Sequence, residues 1–122
     1  MHVFAVVNQK GGVGKTTTSV NLAASLAAMH RRVLLIDLDA QGNATMGVGV
    51  DKHTLERSIY DVFIDDLPAR SVVTATSVAG LSLIGANSDL TGLELTLSER
   101  SDRETRLLEA LTVQQHEFDV VL

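Results

Sequence analysis

Between a short β-branched run, Val3-Phe4-Ala5-Val6-Val7, and an alanine- and leucine-rich stretch from Thr16 to Met29 stands Asn8-Gln9-Lys10-Gly11-Gly12-Val13-Gly14-Lys15-Thr16-Thr17-Thr18. Its placement constrains the chain more than its spelling does. Glycines without Cβ let a loop wrap until successive main-chain N–H groups converge, and a helix that starts at the end of the loop adds the positive end of its dipole. Such a loop is built for a phosphate. Lys15 is placed to reach β- and γ-phosphates as a mobile point charge. The Thr16 hydroxyl is placed to coordinate a Mg²⁺ bridging the same oxygens, and Thr17 offers one more hydroxyl.

The flanks supply the fold class. Val3 to Val7 reads as a strand buried on both faces. Thr16 to Met29 has no Gly or Pro and runs into His30-Arg31-Arg32, cations suited to a helix C-terminus, so it reads as a helix. Val33-Leu34-Leu35-Ile36 is the next strand. Strand, loop, helix and strand in roughly 30 residues have the size of a βαβ unit, which predicts parallel pairing and a right-handed crossover. After Asp37 the pattern weakens through Gly42, Gly47 and Gly49. A short helix is expected around Ser58 to Phe63, a turn or helix after Pro68, a third strand at Leu81 to Gly85, and a helix from Arg100 to Leu111. Asp119-Val120-Val121-Leu122 begins another strand. A parallel strand needs covering helices and a following connection, so residues 1–122 are expected to be the N-terminal part of one domain.

Two acids follow the second strand, in Ile36-Asp37-Leu38-Asp39-Ala40-Gln41-Gly42-Asn43-Ala44-Thr45. The C-terminal edge of an open α/β sheet is where ligands bind. Acids one residue apart on extended chain point in opposite directions, so Asp37 and Asp39 have separate jobs. One can hold water ligands of Mg²⁺; the other can orient or deprotonate an attacking water, a role typically contributing about 10²- to 10⁴-fold.

The strict P-loop pattern puts a glycine five positions before Gly14, where this chain has Gln9. Lys10-Gly11-Gly12-Val13-Gly14-Lys15-Thr16-Thr17 instead resembles the deviant Walker A motif of the ParA/MinD superfamily, and Asp37 to Thr45 resembles the switch I of its partitioning branch. The resemblance is dense over residues 3 to 49. It implies a three-layer P-loop α/β/α domain with a mainly parallel sheet that binds ATP and Mg²⁺ through Lys10, Gly11, Gly12, Val13, Gly14, Lys15, Thr16 and Thr17. Lys15 and Asp39 would serve catalysis in cis, with Thr16 and, indirectly, Asp37 on the metal side. Lys10 would cross a nucleotide-sandwich homodimer to the partner's phosphates, a trans role worth on the order of 10³ to 10⁵ in rate for arginine fingers.

Family members carry the Walker B acid just after a run like Val120-Val121-Leu122, so Asp119, which precedes that run, is not that acid. The resemblance further implies slow ATP hydrolysis in chromosome or plasmid partitioning, a ParB-type partner, nonspecific DNA binding through regions beyond residue 122, and a cytoplasmic, nucleoid-associated protein with no membrane contact. The fragment alone is expected to be inactive. A MinD-like ATPase positioning another cargo and a non-catalytic nucleotide-binding or interaction module are the alternative readings.

Composition excludes other classes. The 122 residues hold 45% hydrophobic side chains, enough for a core, and no cysteine for a disulfide or an iron–sulfur cluster. A formal net charge of −5 argues against a large nucleic-acid surface within these residues. No apolar run approaches the roughly 18 residues of a membrane helix, and the N-terminus lacks the features of a signal peptide. A dinucleotide-binding fold, suggested by Asp37 as a ribose-binding acid, founders on Thr17, which stands where the third glycine of G-x-G-x-x-G belongs. His2, His30, His53 and His116 have no metal-ligand spacing and read as surface residues. Ile59, Tyr60, Val62 and Phe63 read as core.

Overall fold

The computed structural model describes residues 1–6, 13–92, 106–112 and 117–122. Strands β1 (His2–Val3), β2 (Val33–Ile36), β3 (Thr74–Ala75), β4 (Leu81–Ile84) and β5 (Val120–Val121) form one sheet in the order β1-β5-β2-β4-β3, parallel except for the β3–β4 pair. Helices α1 (Val13–Ala28), α2 (Asn43–Gly47), α3 (Ile59–Ile64) and α4 (Arg106–Thr112) cover its two faces, with short 3₁₀ turns at Ala69–Ser71 and Ser88–Gly92.

The strands divide their side chains by the two-residue period of β structure. Leu34, Ile84 and Val121 face one way and pack with Ile59, Val62 and Phe63 of α3 and Ala110 and Leu111 of α4. Val33, Leu35, Leu81, Leu83 and Val120 face the other way, against Ala23 and Ala27 of α1 and Ala44 of α2. Leu34, Leu83 and Ile84 are fully buried, each contributing about 1.5–3 kcal/mol by its removal from water. The expected three layers are present.

Helix α1 ends where its sequence says it should. His30 adopts φ 63°, the Arg31 N–H donates to the Leu26 carbonyl and the His30 N–H to the Ala27 carbonyl, so the chain closes a Schellman motif with histidine in the usual glycine position. His30 is exposed, as are His2 and His53, while His116 lies outside the described residues. Helix α3 starts on a capping box: the Ser58 Oγ accepts from the Tyr60 N–H, and the Asp61 carboxylate accepts from the Ser58 N–H at 2.7 Å.

Two expectations need correction, and two short elements were not expected. β1 and β2 run parallel but are not neighbours, because β5 lies between them and pairs with both. Strand order is a long-range choice that local pattern does not carry. β1 is also shorter and more open than the expected buried strand Val3 to Val7: strand structure is confined to His2–Val3 among the described residues 1–6, and Val3 and Phe4 are each 56% exposed. The Gly-rich stretch contains a helix, α2, and a two-residue strand, β3, precedes β4 as an antiparallel partner. Residues 100–105 of the expected last helix lie outside the described residues, and its remainder is helical as α4.

Asp119 stands at the N-terminal end of β5, at the sheet edge opposite the C-terminal end of β2. There its carboxylate accepts from the Arg32 main-chain N–H (2.8 Å) and guanidinium (3.0 Å). The side-chain bond to Arg32, joined by the main-chain bond and the Arg32 charge, lowers the Asp119 pKa from 3.8 to about 2. A depressed folded-state pKa stabilises the fold fully above the unfolded value, and that stabilisation fades as pH falls from about 4 through about 2. A carbon-detected NMR titration is expected to place the Asp119 midpoint near 2, and Arg32→Ala to move it up toward 3.8.

Candidate phosphate site

The C-terminal ends of β1, β5 and β2 open into a cavity of about 530 Å³, a size suited to a small ligand. The first turns of helix α1 reach it, and the opening N–H groups of a helix have no intrahelical acceptor. Lys15, Thr16 and Ser19 line the cavity from α1, Asp37 and Asp39 from the turn after β2. Lys15 and Thr16 are half-buried; Thr17 is exposed and absent from the lining, and Gly14 is exposed. Val13 is the first helical residue. Lys10, Gly11 and Gly12 lie outside the described residues. Ser19 was missed in the sequence; its signal is its position three residues after Thr16, on the same side of the helix.

The two acids differ in kind. Asp37 is only 4% exposed, and three donors converge on its carboxylate: the Asp39 N–H at 3.0 Å, the Thr45 N–H at 3.0 Å and the Thr45 hydroxyl at 2.7 Å. The carboxylate thereby caps α2, whose N-cap residue, Gly42, has no side chain to do so. Asp39 is half-buried, and its side chain accepts a local bond from the Gln41 N–H at 3.0 Å while its carbonyl accepts from the Gly42 N–H. One acid is thus spent on holding the turn, and the other stands beside the cavity with acceptor capacity remaining.

Gly42 is required twice over. Its φ of 67° is strained for any L side chain, and a Cβ would meet the Ala86 carbonyl at 2.7 Å and Lys52 Cδ at 2.8 Å. The Lys52 ammonium in turn donates to the Gln41 carbonyl, tying the turn from outside.

The donor set fits a magnesium-bound polyphosphate. Main-chain amides at a helix start and an ammonium suit phosphate oxygens; a hydroxyl and carboxylates suit a hard divalent cation.

A family model described as an AAA domain matches residues 1–122. Sporulation initiation inhibitor protein Soj of Bacillus subtilis is 46% identical over 98% of this chain and 47% of its own length. Chromosome partitioning protein ParA of Myxococcus xanthus is 42% identical over 98% of this chain and 42% of its own. The chain therefore spans less than half the length of these relatives. The crystal structure of cobyrinic acid a,c-diamide synthase from Mycobacterium smegmatis, with bound ATP analog and magnesium, superposes with a TM-score of 0.92 at 43% identity. That match covers 98% of this chain and 49% of the other.

Proposed function

The chain belongs to the AAA-domain family matched over its whole length, in the ParA/Soj-type branch of P-loop ATPases, and from that premise we propose that it is part of a Mg·ATP-dependent partitioning ATPase. One observation supports the reading above the others: Lys15 and Thr16 from the first turn of α1 share a cavity with Asp37 and Asp39 from the end of β2.

In this reading the α1 amides and Lys15 bind the phosphates, and Thr16 holds the metal, which when bound neutralises charge on the β- and γ-oxygens. Lys10, Gly11 and Gly12 complete the phosphate loop, together with Val13, Gly14 and Thr17. Asp37 fixes the turn and stands on the metal side. Asp39 orients the attacking water and accepts its proton. At the full length of its relatives the protein forms a homodimer on ATP binding, contacts nonspecific DNA through regions beyond residue 122, is reset by a ParB-type partner, and works in the nucleoid-bearing cytoplasm.

Lys15→Ala tests the premise. A charged hydrogen bond contributes about 1.5–3 kcal/mol, so the substitution is expected to weaken binding of a fluorescent ATP analogue by about 10- to 100-fold. Equal affinity of the variant and the parent would reject the phosphate role.

A further inference from the structure

Thr45 lies in α2 and is not among the residues that line the cavity. It is fully buried, and its hydroxyl donates to Asp37 Oδ2 at 2.7 Å while accepting from the Ala86 N–H at 3.0 Å. A hydroxyl has one proton to give, so these two bonds fix which partner receives it. Three separate segments meet on this one atom: the turn after β2, the first turn of α2 and the chain leaving β4. The other oxygen of Asp37 accepts from the Asp39 N–H at 3.0 Å. The path from Ala86 through Thr45 and Asp37 to Asp39 is therefore an unbroken row of hydrogen bonds.

Packing leaves the arrangement little slack. A Cβ on Gly85 would stand 3.2 Å from Thr45 Cγ2 and 2.8 Å from Leu55 Cδ1, so the methyl side of Thr45 is closely packed as well. Gly85 also accepts from the Ile59 N–H at 2.8 Å, which anchors this end of β4 to α3.

We propose that Thr45 is the positioning residue of the site: through Asp37 it sets where the Asp39 side chain stands against the cavity shared with Lys15 and Thr16. The proposal rests on the ATPase reading for its consequence in turnover, but not for its structural content. The hydroxyl, rather than the bulk, carries the role. Positioning thus ranks Thr45→Ser as mild and the nearly isosteric Thr45→Val as severe. A residue that only fills space gives the reverse order, because valine keeps the volume and serine loses a methyl.

The test uses the protein at the full length of its relatives, comparing parent, Thr45→Val and Thr45→Ser in steady-state ATP hydrolysis and in amide hydrogen exchange at Asp39 and Ala86. Misplacement of a catalytic group by about 1 Å can cost about 10²-fold, so Thr45→Val is expected to lower kcat by about 10- to 100-fold with KM nearly unchanged. Exchange at Asp39 and Ala86 should quicken in the same variant. Thr45→Ser should restore most of kcat and of the protection. Unchanged exchange at Asp39 in Thr45→Val, or a kcat loss in Thr45→Ser as deep as in Thr45→Val, overturns the proposal. Should Thr45→Val not fold, a Thr45→Ser kcat far below the parent's overturns it alone. A parent that binds but never hydrolyses ATP sinks the ATPase reading instead, and the exchange data still decide the role of Thr45.

Discussion

Asp39→Ala is expected to leave Mg·ATP binding close to that of the parent and to reduce turnover about 10²- to 10⁴-fold, the usual contribution of a positioned general base. The expectation comes from the contrast between the two acids. Asp39 is half-buried beside the cavity, and among the described residues its side chain accepts from the Gln41 N–H two residues on, so truncation removes acceptor capacity facing the site while the cap on α2 stays in place. Asp37 offers no such clean test. Its removal strands the Asp39 amide, the Thr45 amide and the Thr45 hydroxyl, and buried donors left without partners cost about 1–3 kcal/mol each. A drop in activity there would report collapse of the turn as much as chemistry. The measurement is therefore a pair of titrations on the Asp39 variant, nucleotide affinity by fluorescence and phosphate release at saturating ATP. Turnover within a few-fold of the parent would remove Asp39 from the reaction.

The parts of this fold that were legible in the sequence are those governed by neighbours along the chain. Helix α1 shows in its run of alanines and leucines, β2 in four successive apolar residues, and α3 in the apolar cluster Ile59, Tyr60, Val62 and Phe63. Helix α2 was illegible because its cap comes from Asp37, while the residue at its own N-cap is a left-handed glycine that reads as a loop. The insertion of β5 between β1 and β2 joins residues more than 80 positions apart, and no periodicity encodes that choice. The site divides the same way. Lys15, Thr16, Asp37 and Asp39 stood out because each sits at the end of an element where ligands collect. Thr45 did not, because a threonine inside a polar segment has no mark of burial; its role exists only once Ala86 arrives from β4.

Lys10 carries the largest expected effect and the one most specific to an assembly of two chains. In the proposed homodimer it reaches the phosphates of the opposite site, while Lys15, Thr16 and Asp39 serve their own. Lys10→Ala should then lower turnover on the order of 10³- to 10⁵-fold, the range attributed to residues acting as fingers in trans. A loss of that size alone does not separate a trans role from a cis one, but mixing does. In a dimer of one Lys10→Ala chain and one Asp39→Ala chain, the first chain's site keeps its own Asp39 and receives Lys10 from its partner, so it is complete. The other site lacks both groups. Random pairing of equal amounts makes half the dimers mixed, each with one working site of two, so two nearly inactive proteins should recover roughly a quarter of the parent's activity under two-fold symmetry. If Lys10 instead acts within its own chain, every site in the mixture lacks one group or the other, and mixing restores nothing. Phosphate release from the full-length variants, alone and mixed at a fixed total concentration, distinguishes the two outcomes without any assumption about how far either variant falls.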